Sequence, residues 1–142
     1  MIKTSFGFFI LALVVLATPS AADDLTGSER FLCSATQATG CLDGGECYAV
    51  SLIEINMPQF IEVDLENKLL STTKASGLNR VTPIKNYERA DGLIYLQGVQ
   101  LERAVSMVIA EATGQASIAM ATDGIGALIF GACTTLPEGE QE

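Results

Sequence analysis

The chain has no histidine and no tryptophan, and its 8 lysines and arginines face 17 aspartates and glutamates. Each lack excludes a class of function. Without histidine there is no Ser-His-Asp triad, no imidazole metal ligand and no switch that titrates near neutrality. A nucleic-acid binder of this size needs a basic face, and a formal net charge of -9 with a pI of about 4.3 does not provide one. Long apolar runs are missing as well, with one exception. Phe6 to Ala17 (FGFFILALVVLA) follows Met1-Ile2-Lys3 and ends at Thr18-Pro19. That run is shorter than the roughly 20 residues a membrane helix requires, so no membrane span is expected in the mature chain. Ser20 and Ala22 put small side chains at the -3 and -1 positions before Asp23. This is the layout of a cleavable secretory signal, residues 1–22. No cysteine stands at the cleavage site, so no lipoprotein anchor is expected.

What is present suffices for a core. Of the 142 residues, 49% are hydrophobic, which argues for one folded domain rather than disorder. Composition shifts at both ends. Residues 23–29 read as a flexible polar tail, 30–136 as a single β domain, and 137–142 as an acidic tail.

Four cysteines follow the signal: Cys33, Cys41, Cys47 and Cys133. An even count in an exported chain argues for two disulfides, and three pairings are possible. Cys41 and Cys47 flank an Asp43-Gly44-Gly45 turn signal, and a reversal there would set them opposite each other. Cys33, near the first ordered strand, is then left to pair with Cys133, near the last. Redox use is disfavoured, because reactive dithiols usually show C-x-x-C and this spacing is C-x5-C. Zinc would need paired ligand spacings that Cys33 and Cys133 do not supply.

Short strands fill most of the chain. Ile61, Val63 and Leu65 alternate with Glu62, Asp64 and Glu66, a strict period of two. Further strands are expected over 30–39, 46–53, 69–73, 80–87, 93–99, 116–122 and 125–134. Pro83 cannot donate to a ladder, so the 80–87 strand is expected at an edge. Leu101 to Thr113 fits both a helix capped by Gly114 and a strand ending in a Thr113-Gly114-Gln115 turn. A strand is preferred, because it agrees with the turns and strands on either side. The sum is all-β: a roughly eight-stranded antiparallel meander, closed as a barrel or flattened as a sandwich.

Three short motifs carry a resemblance: Leu96-Gln97-Gly98, Thr113-Gly114 and Phe130-Gly131-Ala132-Cys133. Over roughly Asp91 to Thr134 the chain resembles small exported proteins of Gram-negative bacteria, mostly uncharacterised. The resemblance implies an all-β fold and an envelope location. It brings no activity.

Candidate chemistry is sparse. Glu62, Asp64 and Glu66 share one strand face, with Asp43 and Glu46 elsewhere, but calcium needs oxygens converging on one point. No carboxylate pair is singled out for glycoside hydrolysis. A Ser-Lys arrangement would need a buried lysine, and Lys68, Lys74 and Lys85 lie in or beside polar segments. Gly124-Ile125-Gly126 lacks the following helix and the Lys-Ser/Thr pair of a phosphate loop. No catalytic residue, metal or cofactor is therefore expected. The sequence implies an exported, periplasmic or secreted, non-enzymatic protein-binding or inhibitor-type module. Its acidic charge points to a cationic macromolecular partner, not nucleic acid. A barrel carrying a small apolar ligand is the alternative, and an enzyme with no recognisable catalytic set is a further one.

Overall fold

Alternating apolar residues form nine strands, described by a computed structural model over residues 23–136. The expected signal peptide, residues 1–22, and the expected acidic tail, residues 137–142, lie outside the described residues. The strands are β1 (Arg30–Leu42), β2 (Cys47–Val50), β3 (Phe60–Asp64), β4 (Leu69–Thr72), β5 (Val81–Ala90), β6 (Leu93–Gln100), β7 (Arg103–Ala110), β8 (Gln115–Thr122) and β9 (Ile125–Thr135). A single 3-10 turn at Lys74–Ser76 is the only helical element among the described residues. Neighbouring strands pair antiparallel, and β1 also pairs with β9 along nearly its whole length. The sheet is therefore a closed eight-stranded barrel, not a flattened sandwich. Leu101 and Glu102 make the turn into β7, so the strand reading of this region holds.

One wall position is shared by two strands. The upper part of β1 (Arg30 to Ser34) pairs with β3, and its lower part (Ala38 to Cys41) pairs with β2. Residues 51–59 interrupt what would otherwise be one strand. They leave the wall where β1 bulges at Thr36, whose hydroxyl donates to the Phe130 carbonyl (3.1 Å). β5 is not at an edge, contrary to the expectation from Pro83. It pairs with β4 over Val81 to Pro83 and with β6 from Ile84 onward. Pro83 lies just before the β6 pairing begins, so its missing N–H removes no bond from that ladder.

Inward side chains fill the barrel. Phe31, Val63, Ile94, Leu96, Met107, Ile109 and Ile129 are all buried, each contributing roughly 1.5–3 kcal/mol. Both disulfides form as expected. Cys33 and Cys133 face each other across the β1–β9 seam, and Cys41 bonds Cys47 across the β1–β2 hairpin. The upper end is closed by residues that the sequence presents as a flexible tail. Leu25 is 0% exposed, and its N–H donates to the Glu111 carbonyl at 2.8 Å. The Arg89 guanidinium reaches from β5 to Glu111 (3.5 Å), Glu29 (3.9 Å) and the Ser28 carbonyl. Residues 23–29 are thus a plug, because a lone leucine among polar neighbours finds the open end of an apolar barrel.

Candidate functional site

The acidic side chains singled out in the sequence do not converge. Glu62 and Asp64 point outward from β3, Glu66 stands in the following turn, and Asp43 and Glu46 sit in the β1–β2 turn. Asp64 is engaged locally, 3.4 Å from Arg30 and accepting from the Asn67 N–H and side-chain amide. Among the described residues no group of His, Cys, Asp and Glu could hold a metal ion. Lys68, Lys74 and Lys85 are all exposed. Two carboxyls are held below their ordinary range, each by neighbours in its own turn. The Thr26 hydroxyl and N–H act on Asp24, and the Ser51 hydroxyl and N–H on Glu54. Neither faces another titrating group in a cleft.

Two places on the barrel do gather function-bearing features. The first is its lower mouth, covered by residues 51–59. Within this loop the Met57 N–H donates to the Leu52 carbonyl (2.8 Å), and Glu54 accepts from the N–H and hydroxyl of Ser51 (both 2.7 Å). Asn56 holds a left-handed conformation at φ 50°. Its carbonyl takes bonds from two arginines, Arg80 at 2.8 Å and Arg103 at 3.3 Å. Arg103 also donates to the Ile55 carbonyl at 3.0 Å. Beneath the loop lies a cavity of about 50 Å³, lined by apolar side chains such as Met57, Leu70, Val105 and Met120 beside both arginines.

The second is the outer wall of β6 to β9. Registered pairing sets Tyr95, Val108, Ser117 and Phe130 in one outward row and Gln97, Ser106, Ala119 and Leu128 in the next. Val99, Ala104, Ala121 and Gly126 make the third. No outward residue of these rows is charged, in a chain of net charge -9. Strand spacing and rise make this area roughly 300 Å², comparable to the largest exposed patch of a typical monomer, which is often functional. Tyr95, Val99, Leu128 and Phe130 are each more than a third exposed. The small residues Ala104, Ser106, Ala119 and Ala121 leave a shallow groove of about 430 Å³ between them, bordered by Lys85 and Asn86 of β5. Acidic residues stand around the patch: Glu88 opposite Tyr95, and Asp91, Glu102 and Asp123 in the turns. Charged side chains project outward elsewhere on the barrel, Glu62 from β3 and Lys85 and Glu88 from β5 at the edge of the patch. With its apolar interior, this barrel reverses the polarity of a transmembrane one.

The sequence singled out neither place. The arginines are far apart in the chain, and the wall exists only once four strands are in register. An observable signal for the wall was nevertheless present, because Leu93 to Thr135 is charged only at its turns and at Arg103. In the short motifs of the C-terminal half, Gly114, Gly131 and Cys133 serve the fold, whereas Gln97 and Phe130 lie on the wall. Gly114, at φ 65°, sits against Cys133, whose N–H donates to the Gly114 carbonyl at 2.7 Å. Gly131 lies against the β1 backbone at Ser34. Neither a comparison with protein-family models nor one with curated proteins gives a match, so a functional reading of this barrel stands on its own geometry.

Proposed function

We propose that this is an exported, non-enzymatic binding module of the cell envelope or its surroundings, and that it engages a macromolecular partner through the outer wall of β6 to β9. The uncharged wall carries the reading. A groove of small uncharged residues flanked by Tyr95, Val99, Leu128 and Phe130, with acidic residues beyond them, resembles a protein interface, which sets apolar and aromatic contacts inside a polar rim. The fitting partner is a protein with an apolar patch ringed by basic residues, since the acidic rim steers such a partner and speeds encounter. Two disulfides agree with an oxidising compartment. The side chains filling the interior favour this reading over a carrier of apolar ligands. Carrier pockets run to roughly 300–1,000 Å³, against about 50 Å³ at the lower mouth.

The test uses the chain from Asp23 as bait in envelope extract. Ala119 is exposed at the centre of the wall, so Ala119→Arg adds charge there without entering the core. We expect the parent chain to retain a partner protein in a salt-sensitive manner. Ala119→Arg should weaken retention by about tenfold or more with an unchanged thermal melt, whereas Glu62→Gln on the far wall should leave it unaltered. Retention that ignores Ala119→Arg would overturn the proposal.

A further inference from the structure

The geometry points to a second site, independent of the wall: the cavity at the lower mouth binds a small aliphatic carboxylate, about the size of butyrate, through Arg80 and Arg103. Both guanidiniums donate to the same carbonyl, that of Asn56. Two cations are thereby drawn together in a molecule whose net charge is -9. The ion pairs among the described residues use Arg30 and Arg89 and leave these two out. Asn56 takes both terminal nitrogens of Arg80, through its carbonyl and its side-chain oxygen, but these neutral acceptors do not cancel charge, so an anion beside the two guanidiniums gains from both. Arg103 spends only one nitrogen, Nη1, on the loop and on the Met120 sulfur, and its fork geometry suits a carboxylate at the others.

The cavity decides what kind of anion fits. Behind the arginines its walls are Met57, Leu70, Val105 and Met120, which favour a hydrocarbon tail over a bare inorganic ion. The buried Thr82 also lines the space. About 50 Å³ holds roughly four water-sized groups, each needing some 10–15 Å³. A tail of three carbons fits with its carboxylate at the guanidiniums, whereas a fatty-acid chain does not. The loop over residues 51–59 forms the roof, so ligand and loop share the same two arginines.

Amide-resolved NMR titration of the chain from Asp23, at constant ionic strength, tests this with butyrate, butanol, butylamine and sulfate. Butyrate should shift the amides of Asn56, Met57 and Val105 saturably, with a millimolar dissociation constant. The other three should bind at least about tenfold more weakly, because each lacks the charge or the tail. Arg103→Gln should weaken butyrate binding by a similar factor. Val105→Phe, which fills the cavity and keeps both arginines, should abolish it. If Arg103→Gln does not fold, Val105→Phe and the ligand series decide alone. Butanol or sulfate equalling butyrate, or butyrate shifts that survive in Val105→Phe, would overturn the inference.

Discussion

At Gly131 the β9 strand lies tight against the β1 backbone. A Cβ there would press into the Ser34 carbonyl oxygen and meet the Ala35 Cα at 3.2 Å, both of them backbone atoms that cannot swing away. Gly126 lies on the same strand, yet a Cβ there meets nothing nearer than the Met120 carbonyl at 3.9 Å. The two glycines should therefore respond oppositely to the same methyl group. Gly131→Ala should cost about 2–3 kcal/mol through overpacking at the seam. Gly126→Ala should change stability by no more than about 1 kcal/mol, in the stabilising direction, because it restricts the unfolded chain. Urea melts of both variants measure this, and equal losses would show that the β1–β9 approach is not limiting. Leu25 makes a related point about single residues. Nothing adjacent in sequence marks it as core, because what buries it is the open barrel end assembled by distant strands.

The two disulfides act on very different lengths of chain. The Cys33–Cys133 bond spans a separation of 100 residues and the Cys41–Cys47 bond a separation of 6. In the chain-entropy picture the long closure removes far more freedom from the unfolded state. Replacing Cys33 and Cys133 together by Ala should cost about 3–5 kcal/mol, and the same change at Cys41 and Cys47 about 1–2 kcal/mol. Chemical denaturation of the two double variants decides it, and a larger loss at Cys41 and Cys47 would refute the argument. This pairing was legible in the sequence, as was nearly every strand, because alternation and turn glycines are local signals. What eluded a local reading was set by distant partners. Residues 51–53 read as the end of the 46–53 strand, but the strand stops at Val50, and Arg80 and Arg103 hold the Ile55 and Asn56 carbonyls of the following loop. Pro83 looks like an edge residue because its lost N–H matters only if a neighbour faces it. The sites were hidden for the same reason. The arginine pair needs three separate segments, and the uncharged wall needs four strands in register.

At the scale of the whole molecule, closure fixes where charge can go. Acidic residues collect in the turns and on β3 and β5, so β6 to β9 form one unbroken uncharged face. Closure also joins the first strand to the last, and this imposes an order of events in time. A nascent chain grows from its amino end, so the Cys33 thiol exists long before its partner at Cys133 has been made. During that interval its neighbours in sequence are Cys41 and Cys47, either of which could capture it. The Asp43-Gly44-Gly45 reversal shields against this, because it brings Cys41 and Cys47 together quickly, and if the Cys33 thiolate attacks their bond the displaced thiol stands beside it and re-closes the short loop. The short bond is thus a timekeeper, worth less to the finished barrel than to its assembly. Acid-quenched alkylation and mass spectrometry during oxidative refolding should find the Cys41–Cys47 bond first, with Cys33 and Cys133 still reduced. In the Cys41→Ala and Cys47→Ala double variant the long bond should still form. In the single Cys41→Ala variant, Cys33–Cys47 species should accumulate and delay the closing of the seam.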